Sequence, residues 1–119
     1  MKQENELGLR ISAKYNRIYV HRTTLKAIGN PEFVSLGIHP KSKKLVVLAA
    51  EECDKDAMRV RYTEDNMFCI YSKVLLGGIC TVAPQVGAQD SCLLYGRLLK
   101  EQNAVAFDMN DIETITEAE

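Results

Sequence analysis

The sequence predicts a mainly β domain with short helices (α+β), built from two strand–helix–hairpin repeats that share one core. Three observations lead there. Short β-branched and aromatic runs are separated by polar turns, the pattern of strands in a small sheet. The order strand, short helix, hairpin occurs twice along the 119 residues. A unit of about 45 residues cannot bury a sufficient core alone, so two of them must pack together.

The elements follow in chain order. Residues 1–8 read as a flexible polar leader, and residues 116–119 as a loose acidic end. Arg17–Arg22 (RIYVHR) has strand composition. Thr23 or Thr24 is placed to cap a short helix through its hydroxyl, with Leu25 and Ile28 on the buried face and Gly29 as the stop. Asn30-Pro31 breaks the chain, and Phe33–His39 and Leu45–Ala50 flank the polar turn Pro40–Lys44. That connection is too short for a parallel crossover, so the two strands form an antiparallel hairpin.

Residues 51–66 read as an acidic linker, with Glu51–Asp56 solvated and Met58–Tyr62 an edge strand. Phe68–Tyr71 is the next strand, Ser72 a helix cap, and Lys73–Ile79 a helix weakened by Gly77 and Gly78. Thr81–Asp90 reads as a loop, and Ser91–Leu98 and Ala104–Met109 as a second hairpin. The single domain then spans residues 9–115, with related units over about 9–50 and 67–115. Expected core residues are Ile18, Val20, Leu25, Ile28, Phe33, Leu36, Leu45, Val47, Ile70, Leu75, Leu76, Ile79, Leu94, Val105 and Phe107.

The two copies can be aligned. Val20–Gly29 lies on Tyr71–Cys80 at an offset of 51, matching Leu25 with Leu76 and Ile28 with Ile79. Phe33–Ala50 lies on Cys92–Met109 at an offset of 59, matching Gly37 with Gly96 and Val46 with Val105.

On these residues the chain resembles a known superfamily. RIYVHRTTLKAIGNPEFVSLGIHPKSKKLVVLAA (Arg17–Ala50) is similar to the strand–helix–hairpin unit of the AbrB/SpoVT swapped-hairpin domains. The tandem copies resemble the arrangement in the MraZ family. The resemblance implies a β-barrel-like fold of interleaved hairpins, frequently a homodimer, that binds DNA as a bacterial or phage transcription regulator. It implies that basic residues around the first strand make the contact, which here are Arg10, Lys14, Arg17 and Arg22.

Charge points the same way. Residues 1–50 carry nine Lys and Arg against three Glu, while residues 51–119 carry six against thirteen acids. Arg10, Lys14, Arg17, Arg22 and Lys26 fall within 17 residues, with Tyr15 and Tyr19 between them. Such a cluster can lie along phosphates. The competing reading is a small protein-binding accessory or inhibitor protein of a phage or mobile element. Its acidic second half, through Asp54, Asp56, Glu64 and Asp65, would mimic a phosphate track.

Enzymatic chemistry is not expected. There is no GxSxG, no phosphate-binding GxxxxGK[ST] loop and no GxGxxG, and the histidines His21 and His39 have no ligand-spaced neighbours. No catalytic residue, metal site or cofactor is therefore assigned. Cys53, Cys69, Cys80 and Cys92 form no CxxC pair and read as reduced, small core residues. No apolar run approaches the roughly 20 residues of a membrane span, and the opening MKQENELGLR has no apolar signal core, so a cytoplasmic protein is expected.

Overall fold

Alternation of apolar and polar residues begins earlier than Arg17. In the computed structural model, which describes residues 7–87 and 91–114, Gly8–Ser12 is already a strand, β1. Leu9 and Ile11 point into the core, fully buried, and Arg10 points outward between them. Gly8 thus belongs to the sheet rather than to a leader; residues 1–6 and 115–119 lie outside the described residues. A single turn over Ala13–Tyr15 closes at Asn16 in the left-handed region (φ 57°), and β2, Arg17–His21, returns antiparallel to β1.

Helix α1, Arg22–Ala27, starts after His21, which adopts extended geometry and makes no side-chain cap bond. Neither threonine caps it. Thr24 is instead buried, its hydroxyl donating to the Gly8 carbonyl (2.9 Å) and accepting from the Gly8 N–H (3.0 Å). A hydroxyl serving two backbone groups of another strand is unavailable to its own helix. At the other end, Gly29 (φ 88°) allows Asn30 to donate to Leu25 and terminates the helix.

Strands β3, Phe33–His39, and β4, Lys44–Ala50, form the expected antiparallel hairpin. Residues 51–56 are exposed turns. The short strand β5, Met58–Arg59, pairs with β3, and Tyr62 bridges to Phe68 in β6, Met67–Tyr71. Ser72 accepts from the Leu75 N–H (3.1 Å) and so caps α2, Lys73–Val82.

That helix runs through Gly77 and Gly78, three residues beyond the expected end. Glycine costs helix stability but does not stop a helix whose Leu76 and Ile79 are buried. The expected loop at Thr81–Asp90 is corrected accordingly. Thr81 and Val82 finish α2, and Pro84–Gly87 forms the short helix α3, with Val86 buried. Residues 88–90 lie outside the described residues. Strands β7, Cys92–Leu99, and β8, Ala104–Asp108, make the second hairpin, and β9, Glu113–Thr114, pairs with β7.

The strands form one curled, antiparallel sheet in the order β5-β3-β4-β8-β7-β1-β2-β6, with β9 beside β7. Its two ends are joined by one stretch of chain. Met58 and Arg59 pair with β3, Val60 donates to Glu32, and Tyr62 and Thr63 reach β6. The inner face and the helices bury one cluster containing Leu9, Ile11, Ile18, Val20, Leu25, Ile28, Leu45, Val47, Leu76, Ile79, Leu94 and Phe107. Leu25 and Leu76 both belong to this core. Phe33, Leu36 and Leu75 are only half-buried, Cys92 is buried as expected, and Val34, Phe68, Val86 and Met109 are buried without having been expected there.

The hairpin geometry also corrects the alignment. His39 pairs with Lys44 beside the first turn, and Leu99 with Ala104 beside the second, so the two hairpins match in register at an offset of 60, not 59. At 59, buried Val47 would match half-buried Ala106, because a one-residue slip exchanges the faces of a strand. At 60, buried Val34, Leu45 and Val47 match buried Leu94, Val105 and Phe107.

Candidate nucleic-acid interface

On β2 the buried Ile18 and Val20 force Arg17, Tyr19 and His21 onto the outer face. Pairing with β1 places Arg10 directly across from Tyr19, and pairing with β6 places Tyr71 directly across from Arg17. Opposed residues of an antiparallel pair share a face. The outer face of β1, β2 and β6 therefore alternates cations and rings. The Arg10 guanidinium lies 5.8 Å from the centre of the Tyr19 ring, and that of Arg17 lies 6.0 Å from Tyr71.

Lys14 and Tyr15 lie in the turn between β1 and β2, with the ammonium 5.5 Å from the ring centre. The turn is held against β6 by Ser72, whose N–H donates to the Asn16 carbonyl (3.1 Å). At the opposite end Arg22 lies 5.0 Å from the Tyr62 ring centre and donates to the Asn66 side chain (3.2 Å). Lys26 is exposed on α1 but meets no ring. Arg10, Lys14 and Arg17 thus meet rings on or beside the β1–β2–β6 strands, Arg22 meets Tyr62 at the far end of β2, where Tyr62 lies across from buried Phe68, and Lys26 meets no ring.

None of these cations pairs with a carboxylate among the described residues. The Nε of Arg10 is buried with no hydrogen-bond partner. A hydrogen bond to Tyr19, and the charge of that group, hold the Arg17 guanidinium above its ordinary pKa, so it stays cationic at every working pH. Stacking on rings holds long side chains in place without neutralising them. The face is accordingly positive, with its cations held against rings and not neutralised by carboxylates among the described residues.

The acidic residues behave differently. Asp54 accepts from the Glu51 N–H (2.8 Å) and so completes its own turn, and Asp56 is exposed in the same stretch. Glu64 and Asp65 belong to the Thr63–Asn66 turn beside Arg22. Arg59 and Arg61 lie between the two acidic turns, which do not form an unbroken track.

Tyr71 was missed by the sequence reading. Alternation around buried Phe68 and Ile70 places it outward, but its position beside Arg17 depends on the long-range pairing of β2 with β6. A groove of about 820 Å³ was also missed, on the outer side of β3, β4, β8 and β7. Val46, Leu48, Leu99 and Ala106 line it together with His39, Lys44, Arg97 and Asp108, and none of the five basic residues does.

Among the described residues, no group of His, Cys, Asp and Glu is arranged to hold a metal ion, and no helix is long and apolar enough to cross a membrane. Cys53 is exposed rather than part of the core, and all four cysteines are free. Burial pushes the Cys80 thiol pKa up, and burial with the neighbouring Cys80 pushes that of Cys92 up to about 11. No protein-family model, curated protein or solved structure matches the chain.

Proposed function

We propose that the chain is a DNA-binding protein of the AbrB/MraZ type, a transcription regulator that contacts DNA through the outer face of β1, β2 and β6. The observation that carries this reading is the set Arg10, Lys14, Arg17 and Arg22: four cations without carboxylate partners among the described residues, each against a ring. Polyanion binding is the use that fits charges left unpaired yet held in place. The acidic residues Asp54, Asp56, Glu64 and Asp65 have no comparable organisation.

The same proposal takes the fold as two related units with interleaved hairpins. Its support is the pairing of like with like. β2 pairs antiparallel with β6, and β4 pairs antiparallel with β8, as a two-fold relation between copies requires. The strand ahead of the first unit, β1, pairs with β2 and β7; the stretch ahead of the second, Met58–Tyr62, pairs with β6 and β3.

The test is a salt titration of binding to random-sequence DNA. Four to five phosphate contacts predict that log K falls against log salt with a slope of about −4. Absence of association at micromolar protein in low salt, or a flat salt dependence, refutes the reading.

A further inference from the structure

We infer that the preferred ligand of this face is single-stranded nucleic acid, with bases stacking on Tyr15 and Tyr71 while Arg10, Lys14 and Arg17 hold the phosphates. The inference rests on the phosphate-contact part of the reading above and not on the regulator role, which calls for duplex DNA. Tyr15, in the turn before β2, is 59% exposed and Tyr71, at the end of β6, is 61% exposed, each with a cation against its ring. A cation covers at most one face of each ring, so much of both rings stays open to water. A duplex buries the faces of its bases within its own stack and offers these rings nothing, whereas a single strand offers a π-face at every nucleotide.

The geometry suits a short stretch of strand. Five residues of β2 cover about 15 Å at roughly 3.3 Å each, enough for a few nucleotides. The bond from Ser72 to Asn16 holds the Tyr15 turn beside the end of β6, where Tyr71 stands. At the other end, the turn carrying Glu64 and Asp65 bounds the positive face beside Arg22.

The test compares three fluorescein-labelled probes by anisotropy at low salt: a ten-nucleotide oligo-dT, an abasic ten-mer of equal charge, and a ten-base-pair duplex. The chain has five tyrosines and no tryptophan, so intrinsic tyrosine emission reports stacking directly. The expected result is tightest binding of oligo-dT, with tyrosine emission quenched by oligo-dT and not by the abasic strand. Tyr71→Ala should weaken oligo-dT binding roughly 5- to 100-fold, several times more than it weakens abasic binding through the loosened Arg17, and Tyr71→Phe should restore both.

Equal affinity for oligo-dT and the abasic strand, or tighter binding of the duplex, overturns the inference and leaves the phosphate-contact reading standing. Binding of none of the three overturns both. If Tyr71→Ala fails to fold, Tyr15→Ala and the ratio of oligo-dT to abasic affinity decide the matter.

Discussion

Replacing Thr24 with valine tests how β1, the strand that carries Arg10, is fastened. Valine has nearly the shape of threonine, so Thr24→Val replaces the hydroxyl with a methyl and removes its hydrogen bonds. That hydroxyl serves both backbone groups of Gly8, at 2.9 and 3.0 Å, in a buried setting. Leaving two buried backbone groups unpaired costs about 1–3 kcal/mol each, so the loss should be about 2–4 kcal/mol after the small gain from the added methyl. For a domain of this size that is a fall in Tm of about 6–20 °C. Thr24→Ser is the informative control, because it keeps both hydrogen bonds and loses one methyl, about 1 kcal/mol. Thermal and urea unfolding should rank the wild type above Thr24→Ser and Thr24→Ser above Thr24→Val. The reverse order of the two variants would mean that packing, not the hydrogen bonds to Gly8, holds β1 in place.

Four further outcomes follow from the packing and from the buried thiol. A Cβ at Gly96 would stand 2.7 Å from the Phe107 ring, whereas nothing lies within 4 Å at Gly37. Gly96→Ala should therefore cost about 1–3 kcal/mol in urea unfolding, and Gly37→Ala should be nearly neutral. Leu25→Ala and Leu76→Ala should each cost about 2–5 kcal/mol, since both side chains lie in one core. Ser72→Ala should cost about 1 kcal/mol by removing the bond to the Leu75 N–H. Cys92 holds its proton up to about pH 11 in the folded chain, while an unfolded thiol ionises near the ordinary value of about 8.5. The folded state thus binds more protons between those values, so stability should be full below about pH 8.5 and fall as the pH rises towards 11. Urea midpoints should show that fall in the wild type and a shallower one in Cys92→Ala.

Local chemistry made the hairpins legible. Phe33–His39 and the Leu45–Ala50 run are strands because alternation and the polar turn leave little else available. Ser72 caps its helix as its position suggests, for the same local reason. What stayed hidden depends on distant partners. Thr24 has the composition of a cap, but Gly8, 16 residues earlier, claims its hydroxyl. Leu9 and Ile11 are flanked by polar residues and become core only when β1 inserts between β2 and β7. Gly37 and Gly96 look equivalent in sequence; cross-strand register shows that they are offset by one position and face different surroundings. The candidate site divides in the same way. Its cations and two of its tyrosines are clustered in sequence, while Tyr71 joins them only across the β2–β6 pairing.

A second group of positive charges provides the most direct test of where nucleic acid binds. Lys41, Lys43 and Lys44 lie at the tip of the β3–β4 hairpin, away from the ring-stacked face. Binding of labelled oligonucleotides at one fixed low salt concentration should be compared between Arg10→Gln/Arg17→Gln and Lys41→Gln/Lys43→Gln, two variants that each remove two charges. If the outer face of β1, β2 and β6 is the interface, the first variant loses most of the affinity and the second keeps nearly all of it. Equal losses, or a greater loss from the hairpin tip, would contradict the account.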